Sequence, residues 1–471
     1  MLINKIVSKL TVALGEKPTA SQEELIKNLA RHAVESHEDA IFIVKGYAGT
    51  GKTSTLSAYV KVLSEIGNKV ILLAPTGRAA KVFSTYAGKS AYTIHKKIYR
   101  QKSSNDGFGH FALDKNLHSR TVFIVDEASM ISNTKSDGNS FGSGYLLNDL
   151  VEYVYNTRNC RLILVGDVAQ LPPVGLNISP ALDKSEVENY NIKVEETELT
   201  DVVRQSKSSG ILESATILRE KIASEDMSLP LFSVKGYADI ESITGMELLE
   251  MLNNSYDKNG IDETLVVCRS NKRANAYNQG IRTQILWREE EISAGDLLMV
   301  VKNNYYWLKE FEGADFIANG DIVEVLKVIR HKELYGFRFV RCRLRLVDFN
   351  IEIETEIILD ALHSEAASLS YDDNKKLFYA VMEDYADLKP KKKQYDSVKS
   401  NEYFNALQVK YAYAVTCHKA QGGQWKHVFI DAGFLKDEMI DKEYLRWLYT
   451  AITRATEKVY LVNFKEEFIE K

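Results

Sequence analysis

The chain has 471 residues, 45% of them hydrophobic and 27% charged, with a formal net charge of −5. That length exceeds one ordinary core and predicts roughly two to four domains. The acidic balance excludes a globally basic nucleic-acid binder, so any nucleic-acid site has to be a local groove. The four cysteines, Cys160, Cys268, Cys342 and Cys417, stand apart with no C-x-x-C pair, against a disulfide framework or a zinc site. Neither a signal-like apolar segment at the N-terminus nor eighteen consecutive apolar residues elsewhere is found, which predicts a cytoplasmic protein with no membrane span.

Residues 18–38 read as a helix, with Ser21 as N-cap, acidic residues in the first turn and apolar residues at helical spacing. Gln22 opens it; its amide suits an adenine edge, and equally a plain surface position on a first turn. The apolar run Ala40 to Val44 then leads into Gly46-Tyr47-Ala48-Gly49-Thr50-Gly51-Lys52-Thr53, followed by helical spacing from Ser54 to Ile66. Strand, Gly-rich loop and helix in that order form a phosphate cradle. The backbone amides from Gly46 through Ala48, Gly49, Thr50 and Gly51 turn inward, and the helix N-terminus adds positive partial charge. Lys52 would reach the β- and γ-phosphates, and the Thr53 hydroxyl would ligate Mg²⁺. These residues predict a user of nucleoside triphosphate.

Lys69 to Ala74 is a buried-type parallel strand, ending at Pro75-Thr76-Gly77-Arg78 where open α/β sheets bind ligands. Ala91-Tyr92-Thr93-Ile94-His95-Lys96 offers polar and basic groups beside an aromatic, although a lone histidine such as His95 is usually structural. Residues 101–116 show no helical period, and Gly107-Phe108-Gly109-His110-Phe111 reads as a small hairpin or as a loop covering the core. Thr121 to Val125 is a further strand, ending in Asp126-Glu127. Downstream of a P-loop this pair suits Mg²⁺-dependent hydrolysis, Asp126 holding the metal and Glu127 deprotonating the attacking water. Residues 131–144, rich in Gly, Ser and Asn, read as a flexible insertion. Arg161 to Val165 is the next strand, followed by Gly166-Asp167 and by Gln170 on a Pro-stiffened loop. Gln170 is placed to sense a γ-phosphate, or is a plain loop amide. Four strand ends of this kind, at Gly46, Pro75, Asp126 and Asp167, predict one doubly wound nucleotide-binding domain over residues 1–197.

From about residue 198 the pattern changes. Strands Thr264 to Cys268, Val409 to Val415, Val428 to Ile430 and Val459 to Val462 predict a second α/β domain, formed by 198–289 and 406–471. Between them, alternating apolar and polar stretches such as Asp321 to Val328 and Phe337 to Val347, with a turn at Asn319-Gly320-Asp321, predict a small inserted β-barrel over 290–405. Lys389 and Lys391 to Lys393 within it are a solvated charge run or a phosphate-facing patch.

The ordered set of segments resembles the motor core of superfamily 1 helicases, most closely the RecD/Dda-type branch. It comprises Gly46 to Thr53, Ala74-Pro75-Thr76, Asp126-Glu127-Ala128-Ser129, Gly166-Asp167 with Gln170 to Gly175, Val203-Arg204-Gln205, His418 to Gly422 with Gln424-Trp425, and Tyr449 to Ala455. The resemblance covers residues 18–464. It implies two RecA-like P-loop domains, parallel sheets flanked by helices, with a wedge-bearing insertion at 97–120 in the first and a barrel in the second. It implies ATP and Mg²⁺ in the cleft between the domains, Gly422 among the residues around the nucleotide, and Arg204 and Arg454 as arginine fingers. For single-stranded DNA it points to Pro75, Thr76, His95, Thr416, His418 and the segment Asn271 to Arg282, contacts to the sugar-phosphate chain and stacked bases without sequence readout. Phe108 or Phe111 would be the wedge. The activity implied is a monomeric, ATP-dependent 5′→3′ DNA helicase acting on single strands and junctions. An RNA or RNA–DNA hybrid translocase, and a non-motor P-loop ATPase switch, stand as the alternatives.

Overall fold

The structure, a computed structural model, describes residues 2–35, 40–102, 110–135, 142–202, 209–308, 316–347, 349–434 and 439–470. The first part runs α1 (Leu2–Leu14), α2 (Ala20–Glu35), β1 (Ala40–Gly46), α3 (Lys52–Glu65), β2 (Lys69–Ala74), α4 (Gly77–Ala87), β3 (Ala91–Thr93) and α5 (Ile94–Ile98). It continues with β4 (Tyr99–Lys102), β5 (His110–Leu113), β6 (Thr121–Val125), α6 (Leu146–Tyr155), β7 (Arg161–Gly166), α7 (Lys184–Glu188) and β8 (Lys193–Leu199).

Six of these strands pair in the order β3-β2-β6-β7-β1-β8, all parallel. Their near-continuous apolar sequences follow from burial on both faces. In β1, Ile41 and Ile43 enter one core while Phe42 and Val44 enter the other. Alternate residues of β6 and β7 divide in the same way, Phe123, Leu162 and Leu164 to one side and Val122, Ile163 and Val165 to the other. The short β3 and the amphipathic β8 extend the sheet beyond the four strands legible in sequence. The hairpin reading of residues 101–116 is the one the structure adopts, with β4 and β5 antiparallel.

The second part contains α8 (Gly210–Ser224), β9 (Ile240–Ile243), α9 (Leu248–Asn259), β10 (Thr264–Cys268), α10 (Asn271–Gln284), β11 (Leu297–Val300), β12 (Ile322–Leu334), β13 (Phe337–Leu346) and β14 (Ile351–Ile358). It ends with α11 (Tyr371–Glu383), α12 (Lys391–Lys399), β15 (Leu407–Tyr411), β16 (Ala414–Thr416), α13 (Cys417–Ala420), β17 (Trp425–Asp431), α14 (Lys442–Ile452) and β18 (Ala455–Val462). Strands β16-β10-β17-β18-β9 form a second parallel sheet, and β11 to β15 close a barrel.

Two readings of the sequence need correction here. The run Val409 to Val415 is not one strand. Leu407–Tyr411 closes the barrel against β11 and β14, and only Ala414–Thr416 joins the second sheet. The barrel therefore reaches past residue 405, because Ala412 and Tyr413 carry the chain from one sheet to the other inside a shared apolar core. Within the inserted region, Lys391 to Lys393 open α12, which with α11 forms a separate small core against β13 and β14.

The two crossings between sheet and barrel are pinned together. Arg282, at the end of α10, makes two bonds of 3.0 Å to the Asp296 carboxylate, and Arg288 adds one of 2.7 Å. Tyr413 donates to the same carboxylate from the return crossing at 2.8 Å. Asp296 and Arg282 are almost wholly buried, so this charge is retained by satisfying it completely.

Candidate functional site

The first sheet delivers its chemistry at the carboxyl ends of its strands, the ligand-binding edge of an open α/β sheet. Gly51 caps α3 at φ 78°, ψ 24°, a left-handed conformation that glycine adopts without Cβ strain. It lets the loop turn into the helix N-terminus. Lys52 arches over the loop, donating to the Gly46 carbonyl at 2.7 Å and the Tyr47 carbonyl at 2.8 Å, with Asp167 Oδ2 3.9 Å away. Gln22 is buried; its Nε2 donates to the Thr50 carbonyl at 3.3 Å and its Oε1 accepts from Thr19 N at 3.0 Å. In this conformation the amide ties α2 to the P-loop.

Asp126 and Glu127 follow β6. The Glu127 N–H donates to Asp126 Oδ1 at 2.9 Å, and Glu127 itself takes φ 53°. Burial, then the neighbouring Glu127 charge, raises the Asp126 carboxyl above the usual range, while the Glu127 amide and Lys52 oppose the shift. The desolvated Asp126 carboxylate, at the end of β6 and separated from the P-loop strand β1 by β7 alone, fits a divalent cation, whose charge would offset that desolvation. Asp126 and Thr53 are the residues that would hold Mg²⁺.

The second sheet closes the cleft. Arg454, just past α14, is buried and is held by the carbonyls of Thr450 at 3.1 Å and Gly423 at 3.1 Å. Its Nη1 lies 3.8 Å from Glu127 Oε1. Arg204 lies outside the described residues. Gln170, also buried, accepts from Gln421 Nε2 at 3.4 Å, and the same nitrogen donates to the Leu171 carbonyl at 3.0 Å. The neighbouring Leu171 N–H donates to Thr450 Oγ1 at 2.9 Å. Tyr449 crosses too, accepting from the Ala48 N–H at 2.8 Å and donating to Asp167 Oδ2 at 2.7 Å. Burial and the Asp167 charge push its phenol well above the ordinary range. Gln421, Tyr449 and Thr450 had no assigned role in the sequence reading, although they stand inside the quoted motifs. Position within those motifs was the available signal.

The residues expected at a nucleic-acid track lie at the same edges. Thr76 caps α4, its Oγ1 accepting from Ala79 N at 3.2 Å. Gly422, at φ 78°, sits so close that a Cβ there would come within 3.0 Å of Ala79 Cβ and 3.3 Å of Thr76 Oγ1. Gly422 therefore meets α4 rather than the P-loop. Arg78 covers the Trp425 ring at 4.1 Å and donates to the Gln424 carbonyl at 3.0 Å, a contact between the domains that sequence did not indicate. Pro75 is half-buried beside these. In the second sheet Thr416 pairs with Cys268, which lies two residues before the Ser270 cap of α10 and three before Asn271. His418 follows on α13, half-buried and with its pKa lowered by burial, a shift the Glu443 charge opposes. His95 follows β3 and packs on Tyr99 at 5.7 Å; burial lowers its pKa to about 4, so it is neutral.

Two track assignments change. Arg282, the end of the segment expected to face nucleic acid, is committed to Asp296 in the barrel root. Phe111 is buried and lies 4.3 Å from the ring of Tyr305, which in turn meets Phe316 at 4.8 Å. Its ring is a packing element between hairpin and barrel, not an exposed wedge, because apolar area buried there outweighs exposure at a tip. Phe108 lies outside the described residues.

Comparison with known proteins bears on the whole chain. Residues 19–230 match the family model described as AAA domain, and residues 411–462 the UvrD-like helicase C-terminal domain. The ATP-dependent RecD2 DNA helicase of Deinococcus radiodurans is 25% identical over 93% of this chain and 48% of its own length. The ATP-dependent DNA helicase dda of Enterobacteria phage T4 is 23% identical over 92% of this chain and 97% of its own. An uncharacterized protein of Methanocaldococcus jannaschii is 24% identical over 96% of this chain, which spans only 38% of that protein. A crystal structure of Pif1 helicase from Bacteroides in complex with ADP-AlF3 and ssDNA superposes with a TM-score of 0.48 at 16% identity, covering 97% of this chain and 95% of that one. Both family matches fall where the ordered motifs stand, and over more than nine-tenths of its length the chain is similar to the RecD2 and dda helicases.

Proposed function

We propose that the chain is an ATP-dependent DNA helicase that moves 5′→3′ along single-stranded DNA and opens duplex at junctions, working as a monomer with ATP and Mg²⁺. The observation that carries this reading is the approach of Arg454 to Glu127 at 3.8 Å across the cleft, beside the P-loop lysine. Lys52 binds and orients the terminal phosphates, and Glu127 takes the proton of the attacking water. Mg²⁺, held by Thr53 and Asp126, would supply charge to the phosphate oxygens. Arg454 brings positive charge to the transferring phosphoryl group only when the second domain is docked, and Gln170 and Gln421 link that docking to the loop after β7. Hydrolysis coupled to closure and reopening then shifts Pro75, Thr76 and His95 relative to Asn271, Thr416 and His418 along a bound strand.

ATPase activity measured with and without single-stranded DNA is the primary test, and a steep rise with DNA is expected. Indifference to any nucleic acid would leave a P-loop switch, and stimulation by RNA alone an RNA translocase. Forked duplexes with a single 5′ or 3′ tail test direction. Unwinding only from the 3′-tailed substrate would reverse the assigned polarity.

A further inference from the structure

The P-loop carries one hydrogen bond that its chemistry assigns to another partner. Amides of such a loop are aimed at phosphate oxygens, yet the Ala48 N–H is taken at 2.8 Å by the hydroxyl of Tyr449 on α14 of the other domain. The hydroxyl is fixed from its far side by donation to Asp167 Oδ2 at 2.7 Å, and Asp167 Oδ1 is itself held by Ala169 N at 3.0 Å. Tyr449 and Asp167 are both almost wholly buried, so the hydroxyl is a single-geometry partner and not a wandering surface group. It is an oxygen acceptor standing against a P-loop amide, anchored to the second domain.

Resting on the nucleotide-binding reading above, we propose that Tyr449 is a positioning residue that competes with the nucleotide's phosphate oxygen for the Ala48 amide. A phosphate arriving in the loop takes the Ala48 N–H, and Tyr449 keeps only Asp167. Occupancy of the P-loop thereby changes a bond that joins the two domains, which gives the second domain a reading of the phosphate separate from the charge of Arg454. The competition costs affinity: the loop must exchange one well-formed hydrogen bond for another instead of gaining one.

Tyr449→Phe removes the hydroxyl and keeps the ring. With it, the Kd of a fluorescent non-hydrolysable ATP analogue on the full chain should fall about three- to tenfold, the worth of one hydrogen bond. KM for ATP should fall alongside while kcat stays within about twofold. Thr450→Val deletes the adjacent cross-domain bond to Leu171 N and leaves Ala48 its partner, so its Kd should move less than about twofold. Site-specific 3-fluorotyrosine at position 449, nearly isosteric and a weaker acceptor, carries the same test if the phenylalanine variant does not fold, and should tighten binding in the same direction. An unchanged or raised Kd in the folded Tyr449 variants overturns the competition, and an equal gain in Thr450→Val shows that a loosened cleft is responsible and overturns it too. Failure of the unaltered chain to bind the analogue would instead refute the nucleotide-dependent function, and this inference with it.

Discussion

Two buried arginines in this molecule do opposite things, and their partners tell them apart. Arg282 has its charge met by a bidentate carboxylate, itself buried, with Arg288 and Tyr413 completing the set. Arg454 spends its donors on backbone carbonyls and a hydroxyl and keeps one edge 3.8 Å from Glu127. Replacing Arg282 by Met should cost on the order of 3–5 kcal/mol, since Asp296 keeps its charge and loses its principal partner; denaturant unfolding reads this. Arg454→Ala should lower DNA-stimulated turnover by roughly 10³-fold or more, beside a loss of stability of about 1–3 kcal/mol from the buried carbonyls it leaves unpaired. Glu127→Gln should bind ATP and not hydrolyse it; normal hydrolysis would remove Glu127 as the base. His32 supplies a pH test. It is buried against Phe42, and burial first, then the Arg161 and Lys193 charges, lower its pKa to about 4, with Glu195 opposing. Between pH 6.5 and 4 the unfolded chain binds the proton and the folded chain does not, so stability falls as pH drops through that window, by roughly 3 kcal/mol at most. Unfolding curves at pH 7 and pH 5 should diverge for the native chain, and diverge less for His32→Leu.

At the scale of elements, the motif-bearing ones were legible because each joins a short buried strand to a polar strand end. The strand–loop–helix around Lys52 and the strand before Asp126 needed only local chemistry. What sequence could not show were partnerships set by the tertiary context. Val409 to Val415 is apolar throughout, and nothing in that run marks the residues at which the chain leaves the barrel for the second sheet. Phe111 looks like an exposed aromatic in a Gly-rich loop until Tyr305, from a distant part of the chain, covers it. Gln421 and Tyr449 are unremarkable as residue types and acquire meaning only when α13 and α14 face the P-loop domain. The N-cap of α4 offers a direct check on an element. Thr76→Ala should cost about 1 kcal/mol of stability through loss of the bond to Ala79 N. If Thr76 also touches the track, DNA affinity should drop beyond what Thr76→Ser shows.

Across the whole molecule, first domain and barrel meet at Phe111–Tyr305 and, beside α4, where Lys81 Nζ donates to the Val347 carbonyl at 3.4 Å. Phe111→Ala should therefore reduce strand separation on forks more than ATPase on single strands; an equal loss in both would assign the ring to general stability. The barrel has a further consequence, for assembly of the chain. In the second sheet Val266 pairs with Ala414, although the entire barrel lies between them in sequence. A loop of that length is entropically unfavourable to close. The barrel shortens it, because pairing Leu298 with Tyr411 brings the far ends of the insertion side by side, and the Asp296 cluster fastens them. In the folded chain the barrel is a splint: it holds the two halves of the second sheet, far apart in sequence, in register.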